Sequence, residues 1–328
     1  MNVLVTAPRP GTAGTPQVAL WPAAQLDRIR AAFPTLRLID GLSRDAALAA
    51  APEIEVVFGH VTRDVFLAAP RLRWIQCHGA GMDWMMRVPE LVASDVIVTN
   101  TRGAHAATIA EHTFGLLIAL TRGFPRLWAA QQAREWLRPL GYTPVSLAGL
   151  TLGIVGFGQI GRALAQRGHA FEMRVIAVDA LDVPPSPHVA EIGRPDALPA
   201  LLNRSDVVII TAPLTHETYH LIDAAALARM QPSAYLLAVS RGGVVDEAAL
   251  LAALQGGRLA GAALDVQEQA PVPPDSPLWD APNLILTPHC SGESAQTTAR
   301  VTDMFCENLR RYLAGQPLLN LVDKRRGF

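Results

Sequence analysis

The residues with the most chemical potential fall in four short segments. Gly156-Phe157-Gly158-Gln159-Ile160-Gly161 has the G-x-G-x-x-G spacing, follows the apolar run Leu152-Gly153-Ile154-Val155 and opens a helical stretch at 162–170. Gly156 permits a tight turn, Gly158 lets a pyrophosphate approach the backbone, and Gly161 lets helix and strand pack closely. The first N–H groups of the helix and its positive dipole end suit phosphate, and Gln159 and Ile160 carry two of them. Asp179 ends the next strand, 18 residues after Gly161. An acidic residue there hydrogen-bonds ribose hydroxyls and repels a 2′-phosphate. A dinucleotide site that prefers NAD to NADP is expected.

The other three segments are Ser240-Arg241-Gly242-Gly243-Val244-Val245, Leu264-Asp265-Val266 and Thr287-Pro288-His289-Cys290. Each follows a predicted strand, and strand C-termini line the ligand crevice of an open α/β sheet. Arg241 can grip a carboxylate through two parallel hydrogen bonds. His289 can give a proton to a carbonyl oxygen as hydride reaches carbon, because imidazole titrates near neutrality. Arginine, aspartate and histidine in these places suit hydride transfer to an oxo acid.

Two βα series must position them. Strands are predicted at 2–6, 37–40, 55–59, 73–77 and 96–99, with helices between. This rhythm implies a parallel sheet covered on its faces. Helices at 106–119 and 126–137 follow, then a Pro/Gly/Tyr loop at 138–146. A second series has strands at 151–155, 174–178, 207–212, 235–239, 260–264 and 284–287, six in all, as in the doubly wound dinucleotide-binding arrangement. A final helix at 293–314 is expected to return to the first domain. The chain therefore reads as α/β, with two doubly wound parallel-sheet domains. A Rossmann NAD-binding domain (102–290) is inserted into a flavodoxin-like substrate domain (1–101 and 291–328).

Composition narrows the function. The 328 residues are half apolar and 17% charged, with net charge −1, which argues against disorder and against a basic nucleic-acid surface. Cys77, Cys290 and Cys306 are odd in number and lack CxxC spacing, so no disulfide framework or zinc site is expected. The start, Met1-Asn2-Val3-Leu4-Val5, reads as a strand rather than a signal peptide. No run is long and apolar enough for a membrane span. A cytoplasmic location is the default. His105, Glu111 and His112 miss the H-E-x-x-H spacing, and His112 reads as a packing residue. Cys77 and Cys290 read as small buried hydrophobes, and Trp84 and Trp279 as core or interface residues. No G-x-S-x-G elbow offers an acyl-transfer nucleophile.

Ordered along nearly the whole chain are Gly79-Ala80-Gly81-Met82-Asp83, Ala110-Glu111-His112-Thr113, the glycine fingerprint, Pro213-Leu214-Thr215, Arg241-Gly242-Gly243 and Thr287-Pro288-His289. Together these segments resemble the signatures of the D-isomer-specific 2-hydroxyacid dehydrogenases. The resemblance implies that Arg241 binds the substrate carboxylate and carbonyl, that His289 is the acid/base, and that Asp265 binds the nicotinamide amide. It implies that N–H groups near Ala80 and Gly81 also hold the carboxylate. It places Thr108, Ala212, Pro213, Thr218, Val239, Ser240, Arg241 and His289 against the cofactor, with no metal. It further implies a small 2-oxo or 2-hydroxy acid such as glyoxylate or hydroxypyruvate, and a homodimer formed through the cofactor domain.

One position departs from that pattern. Five residues after Asp265, where the family carries a glutamate paired with the catalytic histidine, this chain has Ala270. Three readings stay open: Glu268 substitutes, His289 works alone and best at lower pH, or the scaffold has become a non-catalytic NAD(H) sensor of the corepressor kind. Intact Arg241, Asp265 and His289 favour retained oxidoreductase activity.

Overall fold

The computed structural model describes residues 1–6, 21–41 and 43–325, apart from the side chain of Asp83. The chain forms two compact units, Met1–His105 with Ser294–Phe328, and Ala106–Glu293. The expected junctions were 101/102 and 290/291. Each observed junction sits a few residues later because the flanking helices start at Ala106 and at the Ser294 cap.

The first unit holds β1 (Asn2–Val5), β2 (Arg37–Asp40), β3 (Val56–Phe58), β4 (Trp74–Gln76) and β5 (Ile97–Thr99). They pair in the parallel order β2-β1-β3-β4-β5, the flavodoxin-like order. β3 and β4 are buried at every residue, as a strand covered on both faces must be. Helices α1 (Ala23–Ala32), α2 (Arg44–Ala50), α3 (Arg63–Leu67) and α4 (Pro89–Ala93) lie between them.

The second unit opens with α5 (Ala106–Thr121) and α6 (Phe124–Gln132), and its strands are β6 (Thr151–Val155), β7 (Arg174–Val178), β8 (Glu191–Gly193), β9 (Val207–Ile210), β10 (Tyr235–Ala238), β11 (Gly261–Leu264) and β12 (Leu284–Leu286). The parallel order is β12-β11-β10-β9-β6-β7-β8. Its helices are α7 (Gln159–Ala170), α8 (Leu198–Arg204), α9 (Ala224–Leu227) and α10 (Glu247–Gln255). Successive strand residues serve opposite faces: Val208, Ile210, Leu236 and Ala238 join one core, while Val207, Ile209, Tyr235 and Leu237 join the other. Burial on both faces fixes the register, and so fixes which residues emerge at the C-terminal edge. Chain end α11 (Ala295–Leu313) belongs to the first unit, as expected, where Val301, Phe305 and Leu309 pack with Phe58 and Trp74.

Two elements differ from expectation. The sheet has a seventh strand, β8, pairing with β7. It is a three-residue edge strand, Glu191-Ile192-Gly193, only partly buried, so it lacks the apolar run that marked the others. The helix expected at 126–137 stops at Gln132. Arg134 takes φ 59°, and the Glu135 N–H reaches back to the Ala130 carbonyl. This is a Schellman-type end with arginine where glycine is usual, so no glycine marks the stop. No helix among the described residues is long and apolar enough to cross a membrane.

Candidate active site

The expected site residues that follow β6, β7, β9, β10, β11 and β12 stand at or beside the C-terminal edge of their sheet. β6 runs into Gly156, whose φ is 94°. A Cβ there would lie 2.6 Å from the Ala212 backbone nitrogen, so only glycine lets the β6 turn pass the end of β9. At Gly161 a Cβ would come within 2.5 Å of the Gly156 carbonyl, which makes this the helix-to-turn approach the fingerprint anticipates. At Gly158, the N-cap of α7, a Cβ would meet nothing within 4 Å. The middle glycine therefore leaves the space beside its Cα open at the α7 N-terminus, where backbone N–H groups could meet a phosphate.

Asp179 follows β7 and is tied to that loop. Its Oδ2 accepts the Phe157 N–H at 2.6 Å and its Oδ1 accepts the Leu181 N–H at 2.8 Å. Beyond β9, Thr218 Oγ1 donates to the Pro213 carbonyl at 2.6 Å and accepts the Thr215 N–H at 2.7 Å, which closes the 213–218 loop on itself. At the end of β10, Ser240 is 8% exposed and its hydroxyl finds no hydrogen-bond partner among the described residues. An orphaned hydroxyl at the same sheet edge as the glycine turn fits a bound polar group. Gly156, Gly158, the α7 start, Asp179 and Ser240 thus form a set that suits a nicotinamide dinucleotide.

Arg241 follows Ser240 and is half-buried, with one guanidinium nitrogen on the Ser240 carbonyl at 2.8 Å. The next residue, Gly242, packs so tightly that a Cβ would fall 1.9 Å from the Gln267 carbonyl oxygen. This close approach locks the arginine loop to the loop after β11. Asp265, wholly buried, ends β11. Its Oδ1 accepts the Thr287 hydroxyl at 2.6 Å and the Cys290 N–H at 2.9 Å, and its Oδ2 accepts the Ser291 N–H at 3.0 Å. His289, beyond β12, has φ 53°. A left-handed backbone costs a non-glycine residue roughly 1–2 kcal/mol, and such strain gathers at functional sites. Arg241, Asp265 and His289 therefore end three neighbouring strands, β10, β11 and β12.

Glu268 is engaged elsewhere. It shares a hydrogen bond with His220 Nε2 at 3.1 Å, accepts the Glu247 N–H, and donates its own N–H to Glu247 Oε1. His220 Nδ1 in turn lies 3.7 Å from Asp246. Burial raises the Glu247 carboxyl above the usual range, and the neighbouring Glu268 charge adds to the rise. His220 went unread in the sequence, and His112, read there as a packing or interface residue, has its Nε2 3.2 Å from Thr287 Oγ1. Thr108 sits in the first turn of α5.

In the first unit, the loop after β4 carries Ala80 and Gly81. Asn100 Nδ2 donates to the Ala80 carbonyl at 3.0 Å and the Thr101 N–H to the Gly79 carbonyl, which pins the loop to the end of β5. His60 and His78 lie at the same sheet edge. His78 is stacked on Trp21 and set edge-on to Phe58. Burial lowers the His60 imidazole to about 4, and burial, helped by neighbouring His60 and His105, holds His78 well below the ordinary histidine value.

Known proteins resemble this chain over most of its length. Residues 114–291, more than half of the chain, match the family model for the D-isomer specific 2-hydroxyacid dehydrogenase NAD binding domain. The glyoxylate reductase of Korarchaeum cryptofilum is 39% identical over 80% of each chain. The D-3-phosphoglycerate dehydrogenase of Mycobacterium bovis is 35% identical over 86% of this chain and 53% of its own. A D-isomer specific 2-hydroxyacid dehydrogenase family protein from Aeromonas salmonicida superposes with a TM-score of 0.85 at 31% identity, covering 98% of this chain and 99% of the other. A relative from Xanthobacter autotrophicus, solved with NADPH and MES, gives 0.80 at 30% identity over 99% and 100%. The chain belongs to the D-isomer-specific 2-hydroxyacid dehydrogenases, a family of nicotinamide-dependent oxidoreductases.

Proposed function

We propose that this dehydrogenase uses NADH to reduce a small 2-oxo acid, of the size of glyoxylate or hydroxypyruvate, to the D-2-hydroxy acid. The observation that carries the reading is the placement of Arg241, Asp265 and His289 at three adjacent strand ends in the unit that also holds the glycine cradle. When bound, reduced nicotinamide supplies the hydride. Arg241 holds the substrate carboxylate through its planar guanidinium. His289 holds the proton destined for the C2 oxygen and stabilises the charge that develops there. The N–H groups of Ala80 and Gly81 are the first unit's offering to an anion. The 2′-hydroxyl side of the adenosine ribose falls to Asp179, whose fixed carboxylate disfavours a 2′-phosphate, and so NAD is the cofactor. Thr218 orders the 213–218 loop, and Ala212, Pro213, Val239 and Thr108 complete the cofactor's surroundings.

The protein works in the cytoplasm as a homodimer formed through its cofactor-binding unit, without nucleic-acid or membrane partners. Trp136, 91% exposed, and Trp128, 55% exposed, favour a covering partner there, since large exposed apolar groups in one region mark interaction surfaces.

The test is a panel of 2-oxo acids with NADH and NADPH in parallel. Turnover of a short 2-oxo acid, lost by 10³-fold or more in Arg241→Ala and in His289→Ala, supports the reading. Tight NADH binding with no turnover on any acid overturns it and favours the second reading, a non-catalytic NAD(H) sensor, which Ala270 supports.

A further inference from the structure

We propose that Asp265 is a positioning residue that braces the left-handed turn of His289 from behind, through the backbone. Segment 287–291 leaves β12, passes Pro288, and carries His289 at φ 53°, a region that favours glycine or asparagine. A side chain stays there only where its surroundings over-determine the backbone. A buried carboxylate supplies much of that constraint. Asp265 takes the Thr287 hydroxyl and the Cys290 N–H on Oδ1 and the Ser291 N–H on Oδ2, at 2.6, 2.9 and 3.0 Å. It therefore ties the residue two before His289 and the two residues after it.

The brace extends one link further. Thr287 has a single hydroxyl proton, which goes to Asp265. Its oxygen can then only accept from His112 Nε2 at 3.2 Å, so that ring nitrogen carries a proton. His112 belongs to α5, and the line from α5 to the histidine turn runs His112 to Thr287 to Asp265. Gln267 adds a second clamp, its amide nitrogen reaching the Leu264 and Thr287 carbonyls at 2.9 and 3.2 Å.

The consequence concerns proton transfer. A donor must be held to within a few tenths of an ångström of its target to act efficiently. Position 270 is alanine, and a methyl group cannot orient an imidazole. By holding the backbone on both sides of His289, Asp265 fixes the point from which the imidazole is presented. Three lone-pair sites of a carboxylate that offers about four are used, so a bond to a nicotinamide amide is compatible with the brace.

The experiment compares Asp265→Asn, Thr287→Val and Thr287→Ser with wild type by two readouts. The first is amide hydrogen exchange at Cys290 and Ser291, which needs neither cofactor nor turnover. The second is kcat for 2-oxo acid reduction beside KM and the NADH Kd. The brace requires exchange at least tenfold faster in Asp265→Asn and at least threefold faster in Thr287→Val. It requires kcat to fall by 100-fold and tenfold respectively, with KM and NADH Kd of Thr287→Val within threefold of wild type, and Thr287→Ser to recover to within twofold of wild type. Unchanged exchange in Asp265→Asn, or a loss confined to NADH Kd, overturns it and leaves Asp265 with cofactor binding alone. Should Asp265→Asn fail to fold, the Thr287 pair decides by the same readouts. The kinetic arm rests on the proposed function. If wild type reduces no 2-oxo acid, that reading fails while the exchange arm still judges the brace.

Discussion

Glu268 Oε1 lies 3.1 Å from Nε2 of His220, and the Glu268 and Glu247 carboxylates accept each other's backbone N–H groups. The carboxylate nearest in sequence to Ala270 is thus committed to a local clasp, and service to His289 would require giving up these bonds. The expected outcome is that Glu268→Gln moves the alkaline limb of the kcat–pH profile by less than about 0.3 unit. Restoring the dyad with Ala270→Glu should move it upward by about one unit, because a nearby carboxylate favours imidazolium, at about 1.4 kcal/mol per unit. A pH–rate series on the three proteins checks this. A downward shift in Glu268→Gln would show that Glu268 does assist His289.

Much of this arrangement is legible in the sequence, for identifiable reasons. Parallel strands buried on both faces are continuous apolar runs, so Val207–Ile210 and Tyr235–Ala238 announce themselves. Once a strand is located, an arginine, aspartate or histidine just past its end is placed at the crevice edge. β8 escaped because Glu191-Ile192-Gly193 has a single apolar residue. The end of α6 escaped because Arg134 adopts the left-handed turn without glycine. The pairs His112–Thr287 and His220–Glu268 join residues 175 and 48 apart, and no local spacing encodes such contacts.

Asp179 gives a prediction about cofactor choice. Its oxygens hold the Phe157 and Leu181 N–H groups at 2.6 and 2.8 Å, so the carboxylate cannot swing away from a 2′-phosphate. Two like charges about 4 Å apart near a protein surface repel by about 4 kcal/mol before salt screening. A preference for NADH over NADPH of at least about 100-fold in kcat/KM is expected. Asp179→Ala should narrow it at least tenfold, and should also weaken NADH because the Phe157 N–H loses its acceptor. Equal use of both cofactors by wild type would refute the assignment.

The exposed tryptophans give a prediction about assembly. Trp136 stands 91% exposed and Trp128 55% exposed. Burying a large apolar side chain is worth about 1.5–3 kcal/mol, so both residues together make a substantial share of an interface. Sedimentation equilibrium should return twice the 35.1 kDa chain mass for wild type. Trp128→Ser with Trp136→Ser should weaken the dimer by at least tenfold while leaving the helical circular dichroism unchanged. A wild-type monomer at micromolar concentration would remove the dimer from the proposal.

The buried histidines of the first unit set its acid stability. Desolvation pushes the partly buried His60 imidazole down to about 4 in the folded protein, and full burial holds His78 well below the ordinary value. Unfolding returns both to about 6.5. Below pH 6.5 the unfolded chain therefore binds protons that the folded chain refuses, and stability falls as pH falls through the window from 6.5 to about 4. Between pH 7 and pH 5 the loss is about 2 kcal/mol from His60, with a further loss of the same sign from His78. Urea unfolding followed by tryptophan fluorescence at pH 7, 6 and 5 measures it. His60→Asn cannot take up a proton, so its stability should drop by about 2 kcal/mol less than wild type over the same range. Parallel pH dependence in the two proteins would mean that His60 is not held as a neutral imidazole against His78 and Trp84.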